Sequence, residues 1–311
     1  MIGLATRIGL ATRIARPGPL AEETTMREFN EQTLTDAVIE RVANTPDPRL
    51  KAIMTSLIRH LHGFVRETRP TWDEWMAGIQ FLTQTGKMCD DKRQEFILVS
   101  DTLGVSMLVD FINYGKHAKA TESTVMGPFF VGGAPEVPLG DSIAKPGTAG
   151  KPCVVTGSVA SADGRALGGA TLEVWEGDDD GFYDVQKDDG TNLRGRIRAD
   201  GQGKFWFRSI VPVSYPVPTD GPVGKMLKST GRHPMRPGHL HFIIDAPGHR
   251  RLVTHLFTQG DRYLDSDAVF GVKESLIVDF KKIDSRDEAA KYQVEAPFHK
   301  VHYDFVLVPE R

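Results

Sequence analysis

Cysteine is scarce in this chain, since only Cys89 and Cys153 occur among its 311 residues and neither belongs to a C-x-x-C pair. This scarcity excludes a disulfide framework and a cysteine metal cluster, and it is typical of proteins from a reducing cytoplasm. Long apolar runs are also missing, and no stretch approaches the roughly 20 residues that cross a bilayer. A net charge of -3 gives no electrostatic basis for binding nucleic acid. We therefore expect a cytoplasmic protein without a membrane span.

The remaining composition is that of a globular protein, with 40% hydrophobic and 25% charged residues. At the N-terminus the letters IGLATR at residues 2–7 are repeated immediately at residues 8–13. A targeting segment would account for the arginines, but it needs a continuous apolar stretch or an unbroken amphipathic face, and the arginines interrupt both. Residues 1–32 are therefore predicted to be a disordered extension.

Helical spacing of apolar residues dominates residues 33–115. Apolar side chains recur at this spacing between residues 34 and 42 and again between residues 50 and 64. A third group around Trp72 and Trp75 follows Pro70, and proline suits the first turn of a helix. Residues 96–111 are apolar enough to predict one buried helix. Together these segments predict an N-terminal helical domain.

The helical period disappears after residue 115. Residues 116–150 are rich in glycine and proline and are predicted to be a connecting arm. Residues 151–311 contain short alternating runs separated by turn signals, of which ADGR at 162–165 and DGQG at 200–203 predict hairpins. Many short strands with such turns are typical of a sandwich or barrel. The predicted fold is therefore mainly β with α, a helical domain followed by a C-terminal β-sandwich.

The run RPGHLHF at residues 236–242 is the first candidate site. His239 and His241 stand two apart in an apolar run, so in a strand both imidazoles lie on one face. Two neutral imidazoles on one face suit a metal ion. An isolated H-x-H pair is nevertheless weak evidence, because most histidines only satisfy local hydrogen bonds.

Two tyrosines lie in segments that follow predicted strands. Tyr183 belongs to GDDDGFYD at residues 177–184, and Tyr215 belongs to VPVSYP at residues 211–216. Taken singly, each is best interpreted as a packing residue with a hydrated hydroxyl. The acidic residues 178–180 lack the spaced ligands and distal glutamate of a calcium loop, so a turn is expected there.

Taken together, these segments resemble the intradiol ring-cleaving dioxygenases. The resemblance extends from about Thr33 to the C-terminus and includes GDRYLDSD at residues 260–267. It implies a non-haem Fe(III) held by Tyr183, Tyr215, His239 and His241. It also implies that Tyr215 leaves the metal as a catalytic base when substrate binds. Arg236 corresponds to an arginine that stabilises negative charge on the activated ring.

The resemblance also assigns the walls of a substrate pocket. These residues are Leu98, Asp101, Val125, Met126, Gly127, Pro128, Phe129, Val217, Pro218 and Val269. Relatives that cleave simple catechol carry a glutamine at the position of His255, so His255 departs from that pattern. Asp101 alone would be interpreted as a capping or partnered acid, since carboxylates in apolar helices usually have such roles.

Within the family, Asp101, TEST at 121–124 and LDSDAVFG at 264–271 are most similar to members that act on hydroxyquinol (1,2,4-trihydroxybenzene). Catechol and chlorocatechol are the alternative substrates, and O2 is the co-substrate. Family members pair through the helical domain, so a homodimer, with a phospholipid at its interface, is expected here. Two other classes stay open on the residues alone: a zinc hydrolase using His239 and His241, and a sugar-binding sandwich module with stacking tyrosines.

Overall fold

The computed structural model describes residues 29–115, 119–187 and 190–310. By compactness the chain divides into two units, one ending at Leu82 and one beginning at Thr83. Most of the predicted N-terminal extension, including the IGLATR repeat, lies outside the described residues. Among the described residues no helix is long and apolar enough to cross a membrane.

Five helices precede the strands. They are α1 (Leu34–Arg41), α2 (Pro48–Thr68), α3 (Trp72–Lys87), α4 (Glu95–Thr102) and α5 (Val105–Tyr114). Helix α2 starts with Pro48 at its first turn, where the Asp47 side chain accepts hydrogen bonds from the amides of Arg49 and Leu50. The single buried helix predicted for residues 96–111 is wrong, because Gly104 at a φ of +73° separates α4 from α5. Helix α5 also leaves Leu108 and Ile112 exposed.

The strands form two main sheets in the second unit. One sheet has the order β1-β4-β3-β8-β9-β10 and the other β11-β12-β2-β5. The strands are β1 (Glu136–Val137), β2 (Pro152–Ser161), β3 (Thr171–Trp175), β4 (Arg194–Arg198), β5 (Lys204–Ile210), β8 (His239–Asp245), β9 (Leu252–Thr258), β10 (Ile277–Val278), β11 (Lys281–Ile283) and β12 (Phe298–Leu307). A separate ribbon pairs β6 (Tyr215–Pro216) with β7 (Met235–Arg236). Helices α6 (Pro222–Ser229) and α7 (Arg286–Lys291) lie between strands in the sequence.

The strand pairings predicted across the turns at residues 162–165 and 200–203 are wrong, although the first turn closes a short antiparallel bridge between Ala160 and Ala166. The strands on either side of each turn, β2 and β3 in one case and β4 and β5 in the other, belong to different sheets. The physical reason is the core: Ile197 of β4 and Phe205 of β5 contribute to one buried cluster between the sheets. The chain therefore crosses from one layer to the other at each turn.

The two sheets pack face to face around an apolar core, which confirms the predicted sandwich. From β8 the core receives Leu240, Phe242 and Ile244. Because side chains alternate along a strand, His239 and His241 face away from this core. Strand β8 therefore contributes core residues on one face and candidate site residues on the other.

Candidate active site

Three histidines converge on the outer face of the larger sheet. His239 and His241 come from β8, and His255 of β9 is paired directly with His241. All three side chains are buried, and each offers a ring nitrogen within 4.8 Å of those of the other two. The H-x-H run alone could not identify His255 as a neighbour, because thirteen residues separate it from His241 in the sequence and only the strand register aligns the two rings.

The two tyrosines that lie near these histidines come from two different loop segments of the chain. Tyr215 lies in β6, where it is paired with Arg236 of β7. Tyr183 follows the turn at Gly181, whose φ of +82° favours glycine. A Cβ at Gly181 would lie 2.5 Å from the Cβ of Tyr215, so only glycine allows the two loops to approach this closely.

The four predicted ligand atoms form a compact group. The Tyr183 hydroxyl lies 2.8 Å from the Tyr215 hydroxyl and 2.8 Å from Nε2 of His241. Nε2 of His239 lies 3.1 Å from Nε2 of His241 and 3.5 Å from the Tyr215 hydroxyl. Adjacent ligands bound at about 2.1 Å to one metal ion lie about 3 Å apart. The spacing of these four atoms therefore fits a single metal ion.

The electrostatics of the group also fit a cation. Burial holds the pKa of His239 and His241 well below the usual value, and Arg236 acts in the same direction, so both rings are neutral. Burial likewise raises the pKa of Tyr183 and Tyr215, and the neighbouring Tyr215 raises that of Tyr183 further. Phenolates in this setting need a compensating positive charge, which a metal ion supplies.

Packing and backbone contacts hold these side chains in place. The Trp175 ring stacks on His241 at 4.6 Å, and Phe129 stacks on Tyr183 at 4.6 Å. Nδ1 of His239 lies 2.7 Å from the Pro237 carbonyl, to which it donates, so Nε2 carries the lone pair. These contacts fix ring orientation without using the atoms that face the group.

Arg236 links the group to a carboxylate. Its Nε donates to Asp267 at 3.0 Å, and its Nη2 lies 3.3 Å from the other oxygen of the same carboxylate. Its Nη1 lies 3.0 Å from Nε2 of His239. Burial alone would lower the pKa of Arg236, but Asp267 raises it above its ordinary value, so the guanidinium stays charged.

A cavity of about 600 Å³ is lined by several of the predicted wall residues, namely Leu98, Pro128, Phe129, Val217 and Pro218. Leu98, Val125, Val217 and Val269 belong to one buried apolar cluster. A Cβ on Gly127 would lie 3.3 Å from the His241 ring. The other predicted wall residues do not belong to the described lining of this cavity; they are Asp101, Val125, Met126, Gly127 and Val269, of which Met126 is 39% exposed.

Asp101 is buried on α4, and its Oδ2 has no hydrogen-bond partner among the described residues. Burial raises the pKa of Asp101 to about 6; Ser106 and Arg236 lower it, and Asp267 raises it. At neutral pH the group is therefore a buried carboxylate with one unused oxygen. Such an atom is costly unless something binds it.

Sequence reasoning missed the residues that support the site. Asp267 was part of a recognised run, but no spacing rule connects it with Arg236. Asp261 accepts hydrogen bonds from the amides of Gly238 and Tyr263, and thereby holds the turn before His239. A usable signal existed only for Gly181, because glycine beside a turn often permits close approach of two backbones.

Comparisons with known proteins agree with this geometry. The family model described as "Dioxygenase" matches residues 125–309, and that described as "Catechol dioxygenase N terminus" matches residues 47–121. The 6-chlorohydroxyquinol 1,2-dioxygenase of Cupriavidus pinatubonensis is 52% identical, over 91% of this chain and 99% of that protein. The hydroxyquinol 1,2-dioxygenase of Nocardioides simplex is 48% identical, over 91% and 97%.

A solved structure extends the likeness to three dimensions. The hydroxyquinol 1,2-dioxygenase of Pseudomonas putida superposes with a TM-score of 0.82 at 50% identity, covering 90% of this chain and 99% of that one. The family models together match both the helical and the sheet-forming parts of the chain. The resemblance inferred from the tyrosine and histidine runs is thereby confirmed, and the chain belongs to the intradiol ring-cleavage dioxygenases.

Proposed function

We propose that this dioxygenase cleaves hydroxyquinol between its two adjacent hydroxyl-bearing carbons, using O2. The product is 3-hydroxy-cis,cis-muconate, which tautomerises to maleylacetate. One observation carries the choice of substrate: Asp101 has an unpartnered, buried carboxylate oxygen and lies on the same face of α4 as Leu98, which belongs to the buried apolar cluster that includes Val269.

The proposed cofactor is Fe(III), bound by Tyr183, Tyr215, His239 and His241. Two phenol oxygens and two neutral imidazoles form a donor set that suits a hard, highly charged ion of this kind. When bound, ferric iron supplies Lewis-acid activation of the aromatic diol. His255 makes no described hydrogen bond to the four ligand atoms, but its ring lies against the rings of His239 and His241, with centroid distances of 4.6 and 4.1 Å. We assign it to the substrate-facing side of the centre.

The residues around the proposed cofactor transfer a proton, stabilise charge and bind the substrate. Tyr215 would accept a proton from a substrate hydroxyl at its phenolate oxygen. Arg236 presents a fixed positive charge beside His239, which stabilises negative charge that develops on the ring. Phe129, Val217 and Pro218 provide apolar walls that hold the ring and exclude water. The pocket is bordered near His241 by the segment around Gly127, which consists of Val125, Met126, Gly127 and Pro128.

Asp101 discriminates between substrates through the third hydroxyl. In catechol the ring position opposite this carboxylate carries only hydrogen, and Oδ2 remains unsatisfied. In hydroxyquinol the additional hydroxyl donates a hydrogen bond to it. A hydrogen bond to a charged acceptor is worth about 1.5–3 kcal/mol, which corresponds to roughly tenfold to a hundredfold in kcat/KM.

Steady-state kinetics on hydroxyquinol, catechol and 4-chlorocatechol test this assignment. The wild type is expected to prefer hydroxyquinol, and Asp101→Leu is expected to lose most of that preference while retaining activity on catechol. Asp101→Asn is the matched control, because it keeps the shape and an acceptor but removes the charge, and an intermediate preference is expected. A wild type that prefers catechol, or an Asp101→Leu variant with undiminished preference, contradicts the proposal.

For assembly we propose a homodimer formed through a helical domain of residues 33–115, with a phospholipid between helices at the interface. In the described helices α2 and α3, apolar side chains including Leu57, Phe64, Trp72 and Ile79 are exposed, Trp72 by 82%. An apolar surface of this kind is typical of an interface. Light scattering at micromolar concentration tests the dimer, and a monomer mass contradicts it. Organic extraction with mass spectrometry tests the lipid.

The rest of the proposed organisation follows from the same reasoning. Residues 116–150 connect the helical domain to a catalytic domain of residues 151–311. The location we propose is the cytoplasm, since both Cys89 and Cys153 are free thiols. Fractionation of producing cells, with immunodetection of the protein in each fraction, tests the location.

A further inference from the structure

Two buried carboxylates stand within electrostatic range of one guanidinium. Arg236 and Asp267 are both almost fully buried, and Asp267 binds Arg236 through two of its nitrogens. Asp101 is influenced by the same pair in opposite directions, since Arg236 lowers its pKa and Asp267 raises it. Both acids are therefore within electrostatic range of Arg236, and Asp267 is the one that binds it by hydrogen bonds.

Asp267 is itself held by its own loop. Its Oδ2 accepts a hydrogen bond from the amide of Gly271 at 2.9 Å, and its carbonyl accepts one from Phe270 at 3.1 Å. A Cβ on Gly271 would lie 3.1 Å from Nη2 of Arg236 and 3.2 Å from Oδ2 of Asp267. A methyl group at residue 271 would therefore press on both the carboxylate and the guanidinium and shift them by a few tenths of an ångström.

The consequence concerns the direction in which Arg236 points. With Nε and Nη2 on Asp267, the remaining nitrogen Nη1 is turned toward His239. Asp101 is a second buried carboxylate within electrostatic range of Arg236, and its Oδ2 has no hydrogen-bond partner among the described residues. An arginine and a carboxylate that are both buried pair strongly, because either one left alone in a low dielectric is costly.

We propose that Asp267 is a positioning and specificity-determining residue: it holds Arg236 against the metal-centre side and so keeps the Asp101 oxygen available for the substrate's third hydroxyl. This inference rests on the proposed function, because it concerns how the preference for hydroxyquinol is maintained. It adds a residue that contacts neither the substrate nor the four predicted metal ligands.

The test is a double-mutant cycle on the ratio of kcat/KM for hydroxyquinol to that for catechol. Asp267→Asn keeps the shape of the side chain but removes its charge, so Arg236 turns to Asp101 and the ratio falls about tenfold to a hundredfold. In an Asp101→Leu background the same substitution leaves the ratio unchanged, since the residue through which it acts is gone. The ratio cancels differences in metal loading between preparations.

Two further variants separate this role from simple support of the fold. Asp261→Asn is the matched control: it removes another loop carboxylate near His239 that makes no described contact with Arg236, and it is expected to lower both kcat values without changing the ratio. Gly271→Ala shifts the Arg236–Asp267 pair slightly without removing a charge, and it is expected to lower the ratio in the same direction as Asp267→Asn but by less. It also supplies the test if Asp267→Asn fails to fold.

The outcomes are distinct. An unchanged ratio in folded Asp267→Asn, or an equal fall in the Asp101→Leu background, overturns the inference. A wild type without preference for hydroxyquinol overturns the proposed function instead. In that case a crystal structure of Asp267→Asn still decides the inference, because Arg236 within hydrogen-bond distance of Oδ2 of Asp101 supports it and Arg236 still on residue 267 refutes it.

Discussion

Gly181→Ala is expected to damage the centre far more than an alanine at a comparable turn. Gly181 has a φ of +82°, and the left-handed conformation costs a residue with a Cβ about 1–2 kcal/mol. The new methyl group would also lie 2.5 Å from the Cβ of Tyr215. Since carbon atoms in contact are normally about 3.5–4.0 Å apart, one loop must move by about 1 Å. Overpacking of this kind costs a further 1–3 kcal/mol or so.

The functional loss should exceed the loss of stability. A displacement of about 1 Å of a catalytic group typically reduces the rate about a hundredfold, and here it moves Tyr215 relative to Tyr183. Chemical denaturation, metal content and kcat are measured for Gly181→Ala and for Gly164→Ala. Gly164 has a φ of +92° and no atom within 4 Å of an added Cβ, so it carries the backbone cost alone. If the two variants are equally stable and equally active, the close approach of the loops is not required.

Three further outcomes follow from the same structure. Tyr183→Phe should bleach or shift a visible phenolate-to-iron absorption band and abolish turnover. Removing the metal by chelation should remove the band, and readdition of Fe(III) should restore it. A colourless, iron-free and fully active preparation contradicts the metal assignment. Burial raises the pKa of Glu176 to about 8, while Ser209 lowers it. Below about pH 4.5 the Glu176 carboxyl is protonated in both the folded and the unfolded protein. Between about pH 4.5 and pH 8 it ionises only in the unfolded protein, so the free energy of unfolding should fall by at most about 1.4 kcal/mol per pH unit over this range. Glu176→Gln should flatten this decline in a denaturation series from pH 5 to pH 8, and an identical slope argues against a neutral Glu176. Arg194→Lys should raise KM and weaken the band. The Arg194 guanidinium donates hydrogen bonds both to the Asp184 carboxylate, next to Tyr183, and to the Phe129 carbonyl, and lysine lacks this forked donor geometry. Unchanged KM and spectrum would show that the forked contact is dispensable.

The face of the sheet that carries the site could be predicted from residues close in sequence. The alternation of His239, Leu240 and His241 was enough to place both imidazoles on one side, because a strand has a period of two. Family membership followed from the tyrosine segments, which have no spacing rule of their own. The sandwich was predicted for a similarly local reason, since strands and turns have local signals.

The strand pairing could not be predicted in the same way. The turns at residues 162–165 and 200–203 have the residues of hairpins, yet the chain crosses between sheets there because apolar side chains of both layers share one core. Turn chemistry is local, whereas the choice of partner strand depends on burial across the whole sandwich. The same reasoning explains Gly104, where the apolar run of residues 96–111 conceals a break that only the backbone conformation reveals.

The position of the Asp267 charge relative to Arg236 could not be predicted from the sequence, yet it affects the electrostatics of the proposed metal centre. A guanidinium whose Nη1 lies 3.0 Å from Nε2 of His239 would repel a cation bound to that nitrogen. Asp267 makes the Arg236 pair neutral as a whole, so a metal ion at the proposed centre would have its charge balanced by the two phenolates and not opposed by the arginine. In the proposed mechanism Arg236 would then stabilise negative charge on the substrate, because the charge of Asp267 lies on the other side of the guanidinium. A sequence gives the types of these groups, but the sign of the field at the metal depends on which side of the guanidinium the carboxylate occupies.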